Sequence, residues 1–205
     1  MPAGGCPALP ELRGIRWGGH LAVAYDRAVG SSLIVRPARV RDVGQMARVH
    51  VRCWQETYRG LMPDAVLDDP GFPAARERMW TDVLTSEDYR QNRVAVAERD
   101  DELAGIAMSG PPEDVTAAWR RQLYVLYVYA ADHGTGAGRA LLEAVIDPAE
   151  PTALWVADPN PRAQAFYRKH GFAADGTARF QGGVREIRMV RGVQHDETGR
   201  SHRGL

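Results

Sequence analysis

The stretch that most restricts how this chain can fold is QLYVLYVYA, residues 122–130, followed closely by DHGTGAGRALLEAV, residues 132–145. A nearly unbroken apolar and aromatic run of this length predicts a strand buried on both faces, which needs packed layers above and below it. Gly134, Gly136 and Gly138 then lead into apolar residues at helical spacing over 137–146, stopped by Pro148. A buried strand, a glycine turn and a helix in succession call for an α/β arrangement.

The flanking sequence supplies the other elements. LIVRPA (33–38) predicts a strand that ends at Pro37. Asp42 can cap a helix in which Val43, Met46, Ala47, Val49 and His50 recur on one face. That helix runs into CWQETYRGLMP, where Gly60 and Pro63 end it, and a second helix over 73–84 follows. RVAVAER (93–99), the Asp100-Asp101 turn and LAGIAMSG (103–110) predict a hairpin. TALWVAD (152–158) is a further buried strand. Asn160 caps a helix with Pro161 in its first turn and Gly171 at its end. Segments 177–180 and 184–190 close as an antiparallel pair. The order predicts an α/β (α+β mixed) fold: a mixed, mostly antiparallel sheet of about seven strands flanked by about four helices.

Composition marks the edges of this unit. Residues 1–32 are Gly- and Pro-rich and predict a loosely ordered extension, with Trp17 and Tyr25 able to dock. The domain spans 33–191, and 192–205 predict a flexible tail. No run is apolar enough for a membrane span or a signal segment. Lys+Arg and Asp+Glu both number 26, so no net field recruits nucleic acid or an acidic membrane. Two cysteines, Cys6 and Cys53, form neither a disulfide framework nor a metal-ligand pattern. The expectation is a cytoplasmic protein with no metal, free to form a homodimer.

A glycine turn before a helix points backbone N–H groups outward, with the positive end of the helix dipole behind them. Arg139 adds charge there. Such a turn is either an anion cradle or simply a tight bend. Arg139-Ala140 after Gly138 departs from the Lys-Ser/Thr of a nucleotide-triphosphate loop, and the glycine spacing departs from the dinucleotide fingerprint.

LYVYAADHGTGAGRALLEAV resembles motif A of the GNAT family of N-acetyltransferases, with His133, Gly136 and Gly138 on its defining positions. LWVADPNPRAQAFYRKHGF resembles the strand and helix that follow in that family. His133 departs from the usual Arg or Gln.

The resemblance implies a sheet splayed at an acetyl-CoA site. The pyrophosphate would lie on His133, Gly134, Thr135, Gly136, Ala137, Gly138 and Arg139, and the pantetheine amides would meet the main chain of Val128 and Tyr129 and the side chain of Asn160. It also implies Tyr167 as the acid that protonates the departing thiolate. Trp54 and Tyr58 fall where the family's first helices meet over the acceptor, implying a primary amine of a small molecule, or a peptide N-terminus, beside them. Glu56, Glu113, Asp114 and Tyr127 remain candidates for a general base. A coenzyme A-binding regulator without turnover, and a nucleotide-binding or purely structural domain, are the other readings, and His50, on an apolar face, reads as core.

Overall fold

The computed structural model describes residues 23–25 and 33–192. Its strands are β1 (Val23–Tyr25), β2 (Leu33–Pro37), β3 (Arg93–Arg99), β4 (Glu102–Gly110), β5 (Arg121–Val128), β6 (Thr152–Ala157), β7 (Ala173–Gln181) and β8 (Val184–Arg191). The helices are α1 (Val43–Tyr58), α2 (Asp64–Leu67), α3 (Phe72–Thr85), α4 (Ala137–Val145) and α5 (Pro161–Lys169). The strands form one sheet in the order β1-β2-β3-β4-β5-β6-β8-β7. Every neighbouring pair is antiparallel except β5–β6. The α/β class and the mixed, mostly antiparallel sheet are as the element order predicts.

Four local differences have physical causes. The sheet begins upstream of residue 33, because Val23–Tyr25 pairs along β2; the rest of the extension and residues 193–205 lie outside the described residues. Asp42 does not cap α1 through its side chain. Its carboxylate takes two bonds from Arg36 (2.7 and 3.0 Å) and one from the Arg39 N–H (2.8 Å), a stronger, charge-assisted set. The four-residue α2 was not foreseen; Arg59 ties its ends by bonding Asp64 and Asp68, both at 2.8 Å. Finally, β7 starts at Ala173 rather than 177, because its pairing jumps from Ala174 to Ala178 across Gly176 at φ +87°. A bulge interrupts the two-residue alternation from which strands are read.

Alternation in the central strands builds two cores. Ala95, Ala97, Ala107 and Leu123 face α4 and α5 with Leu141, Val145, Leu154 and Met189, whereas Val94, Val96, Ile106, Met108 and Val125 face α1 and α3 with Met46, Val49 and Trp80. Small residues on the first side let α4 lie close to the sheet. At Gly105 a Cβ would stand 2.7 Å from the Tyr127 carbonyl and 2.9 Å from Leu141, so only glycine fits.

His50 is 1% exposed and ringed by Trp54, Phe72, Trp80 and Tyr127, at centroid distances of 5.0–6.4 Å. Burial, and secondarily the charge of Arg76, push its pKa well below the ordinary value. The group is neutral when folded. As pH falls through the ordinary histidine pKa of about 6.5, the unfolded chain takes up a proton that the folded chain refuses, so stability is present above that pH and lost below it. Lowering the pH from 6.5 to 5.5 is expected to cost roughly 1 kcal/mol from this residue, a few degrees in Tm. Scanning calorimetry of the native protein and His50→Phe should show the smaller acid slope in the variant; equal slopes would refute the assignment.

The β5–β6 pair sets up everything that follows. It is hydrogen-bonded only at Arg121–Thr152, Gln122–Ala153 and Leu123–Leu154. Beyond these rungs β5 runs on to Val128 beside β4, and β6 runs on to Ala157 beside β8, without pairing with each other. The two strands splay.

Candidate functional site

The splay opens toward the N-terminus of α4. Gly136, the residue before this helix, has φ +97°, and Gly134 has φ +81°. These are left-handed conformations that side chains with a Cβ resist, and a Cβ built at either glycine meets nothing within 4 Å. Glycine is therefore demanded by the backbone path, and the space in front of the turn is open. The first helical bond runs from the Ala140 N–H to the Gly136 carbonyl (3.0 Å). Among the described residues the N–H groups of Gly134, Gly136, Ala137 and Gly138 donate to no other group, and the helix dipole stands behind them. A turn with this geometry has the chemistry to hold an anion.

Several residues expected in that cradle are otherwise engaged. The His133 N–H donates to Ala130 O at 3.2 Å, and the Thr135 N–H and hydroxyl both turn to Asp132 O, at 3.4 and 2.8 Å. Arg139 pairs with Glu143 one turn along the exposed helix face (2.7 Å). Gly138 is close to Phe166, 3.4 Å from the position of its missing Cβ, so it serves the contact of α4 with α5. Asp132 and His133 do not pair with each other: Asp132 binds Arg99, and the His133 ring bonds Val128 O (2.9 Å). A carbonyl can only accept, so the His133 Nε2 is the donor in this bond.

Val128 and Tyr129 differ in direction. The Tyr129 N–H donates to Ala104 O of β4 (3.0 Å). Strand alternation then turns the polar groups of Val128 the other way, into the splay. There its carbonyl already has one partner, the His133 ring. Asn160 caps α5 by accepting the Ala163 N–H at 3.1 Å.

Tyr167, on α5, is 8% exposed and packs between Phe166 and Phe172. Among the described residues its hydroxyl makes no hydrogen bond. Burial, then the neighbouring Tyr127, push its pKa up from the ordinary phenol value. Tyr127 is itself pushed up to about 12 by burial, against the opposing bond from Trp54 Nε1 to its oxygen (2.8 Å). Tyr58 is likewise raised by burial and then by Tyr127. All three phenols keep their protons at neutral pH.

A cavity of about 110 Å³ lies on the α1 side of the sheet, lined by Tyr58 and Tyr127 and not by Tyr167. Trp54, Tyr58, Tyr127 and Trp155 form aromatic walls, with Glu113 and Glu186 among the polar groups. Trp54 and Tyr58 lie edge to face at 5.2 Å. Of the expected base candidates, Glu113 and Tyr127 reach this cavity. Glu56 instead pairs with Arg52 and accepts the Ala130 N–H, and Asp114 bonds Thr116 at the surface.

Trp155, Arg179 and Glu186 belong to the cavity without having been foreseen. Their only sequence signal is positional, since Trp155–Arg188, Ala157–Glu186 and Arg179–Glu186 are side by side on one sheet face. No group of three His, Cys, Asp or Glu suited to a metal occurs among the described residues, and no helix among them is long and apolar enough to cross a membrane.

Comparison with known proteins matches this arrangement. Residues 50–172, more than half of the chain, match the family model described as the acetyltransferase (GNAT) family. A Mycobacterium tuberculosis protein named as a probable N-acetyltransferase is 27% identical over 150 residues, covering 71% of this chain and 83% of the relative. An uncharacterized N-acetyltransferase of Bacillus subtilis is 28% identical over 132 residues, covering 62% and 73%. Among solved structures, the PaiA N-acetyltransferase of Thermoplasma acidophilum, in complex with coenzyme A, superposes with a TM-score of 0.58 at 18% identity. That match covers 76% of this chain and 97% of the other.

Proposed function

Because the chain belongs to the acetyltransferase (GNAT) family, we propose that it transfers the acetyl group of acetyl-CoA to a primary amine of a small molecule, with Tyr167 as general acid. The observation that carries this reading is an outward N–H cradle at Gly134–Gly138 beside a splay into which the Val128 polar groups face; the buried Tyr167 is on α5, the helix whose Phe166 packs against Gly138.

Acetyl-CoA supplies an acyl group activated as a thioester. In this reading Gly134, Gly136, Ala137 and Gly138 hold the pyrophosphate through their N–H groups, and His133, Thr135 and Arg139 frame the turn rather than grip the ligand. Val128 offers its N–H to an extended amide chain entering the splay as an added strand would. Asn160 and the Tyr129 main chain, both engaged within the fold, limit the far side of that slot.

Tyr167 holds a proton at neutral pH and gives it to the leaving thiolate. A thiol's ordinary pKa is about 8.5. The burial that raises Tyr167 would also raise a thiolate beside it, so the two remain matched for proton transfer. The acceptor lies in the aromatic cavity, whose apolar walls and few polar groups suit a small ligand rather than a nucleic acid or a membrane.

The test is an amine library incubated with acetyl-CoA. Acetylated product supports the proposal. Acetyl-CoA binding without product from any amine would overturn it in favour of a coenzyme A-binding regulator.

Trp54 offers a narrower check on where the acceptor lies. Removing its indole deletes both a cavity wall and the bond to Tyr127. Trp54→Ala is expected to raise KM for the amine by at least about tenfold, the equivalent of 1.4 kcal/mol, and to leave KM for acetyl-CoA within about twofold. Equal increases for both substrates would make Trp54 a supporting residue of the fold.

A further inference from the structure

Helix α3 turns Phe72, Arg76, Trp80 and Val83 inward, a row at helical spacing in which one position is charged. Arg76 is only 5% exposed, and it belongs to the lining of the aromatic cavity. Its guanidinium lies 5.2 Å from the Trp54 ring centroid and 4.8 Å from that of Phe72. Its Nη1 donates to the Met79 sulfur at 3.4 Å. Two rings and a thioether thus help to hold the charge in one place. A methionine or leucine would pack this inward position without taking a charge out of water, which is costly. Packing alone does not call for an arginine here.

The charge is felt at the cavity wall. It opposes protonation of His50 behind the wall, and it lowers Tyr127, which forms part of it. Farther along the sheet the charged groups of the cavity answer one another. Arg179 Nε bonds Glu186 at 2.8 Å, and its Nη1 lies 4.0 Å from Glu113. Glu113 also accepts a bond from Gln122 at 3.2 Å. The cavity therefore has a positive pole on α3, set apart from a mutually bonded cluster on β7, β8 and the loop before β5.

We propose that Arg76 is a substrate-binding residue that holds a carboxylate of the acceptor, which makes amino acids and related carboxylate-bearing amines the preferred acceptor class. This rests on the acetyl-transfer reading above and narrows it. A guanidinium presents five N–H donors in a planar fork, so it can take a carboxylate through two parallel bonds whatever else it touches. In a small cavity walled by rings such bonds are shielded from water and gain strength. The rings fix the fork in advance, so little side-chain freedom is lost on binding. The carboxylate forms and breaks no covalent bond. It sets the orientation of the acceptor and leaves the amine nitrogen to reach the thioester.

The test compares acceptors that differ at the carboxyl group: free α- and ω-amino acids and the corresponding amino-acid amides. The native protein is expected to show kcat/KM for the acids at least about thirtyfold above that for the amides, the range for a buried, hydrogen-bonded charge pair. Arg76→Met keeps an unbranched side chain between the rings and loses the charge. In this variant the value for the acids should fall by the same factor, and the value for the amides should stay within a few-fold. Arg76→Lys, which keeps the charge without the fork, should fall between native and Met. A readout independent of turnover is calorimetric titration of N-acetyl amino acids onto the coenzyme A complex. Binding is expected to the native protein and to be lost in Arg76→Met, with unchanged coenzyme A affinity as the check that the variant is folded.

A native protein that acetylates the amides as well as the acids would overturn the assignment while leaving the transferase reading intact. Equal losses for both acceptor sets in a folded Arg76→Met would do the same. Should Arg76→Met fail to fold, the native comparison and Arg76→Lys decide. A native protein that acetylates no amine would overturn both readings.

Discussion

Gly136→Val is expected to lower acetyl-CoA affinity at least about a hundredfold while leaving the protein folded. The backbone at this residue has φ +97°, where a β-branched side chain is strained by roughly 1–2 kcal/mol. The added atoms meet nothing within 4 Å, so the strain is not compounded by a clash inside the core. They project instead into the open space before the cradle, where an anion would approach the N–H groups of Ala137 and Gly138. Hydrogen bonds to a charged group contribute about 1.5–3 kcal/mol each, so two lost bonds account for the expected change. Calorimetry with acetyl-CoA decides the matter. An unchanged affinity in a variant with a native thermal transition would move the pyrophosphate elsewhere.

Tyr167→Phe should separate binding from chemistry. The substitution keeps the ring between Phe166 and Phe172 and removes a hydroxyl that satisfies no other group among the described residues. Folding and acetyl-CoA affinity are therefore expected to persist. Turnover should fall roughly a hundredfold or more, the usual cost of losing a general acid. The effect should appear in kcat far more than in KM, because the proton is needed only as the C–S bond breaks. Turnover at the native rate would return Tyr167 to a packing role.

The folded architecture was legible wherever local chemistry and periodicity agreed. Asp100 and Asp101 both adopt positive φ (52° and 63°) in the tight turn between β3 and β4, as the acidic pair between alternating segments suggested. Asn160 and Pro161 begin α5 as their residue types require. His50 is a core histidine.

Legibility failed where tertiary contacts compete for a side chain. Asp42 has the chemistry of a cap but meets Arg36, a stronger partner contributed by β2. Within the glycine turn, sequence could identify the loop but not which N–H groups its own folding consumes. Those of His133 and Thr135 go to Ala130 and Asp132. Glu186 and Arg179 carried no motif at all, since sheet register alone makes them neighbours.

The three-rung contact of β5 with β6 also bears on how this sequence can change. Extending the ladder past Leu123 and Leu154 would pair backbone groups that now need water or a guest, and would add rigidity to the sheet. Substitutions that zip the strands together should thus emerge readily from a search for thermostability, and each would close the slot proposed above to admit acetyl-CoA. A stability screen run without an activity filter would select against the enzyme at this one place in its sheet.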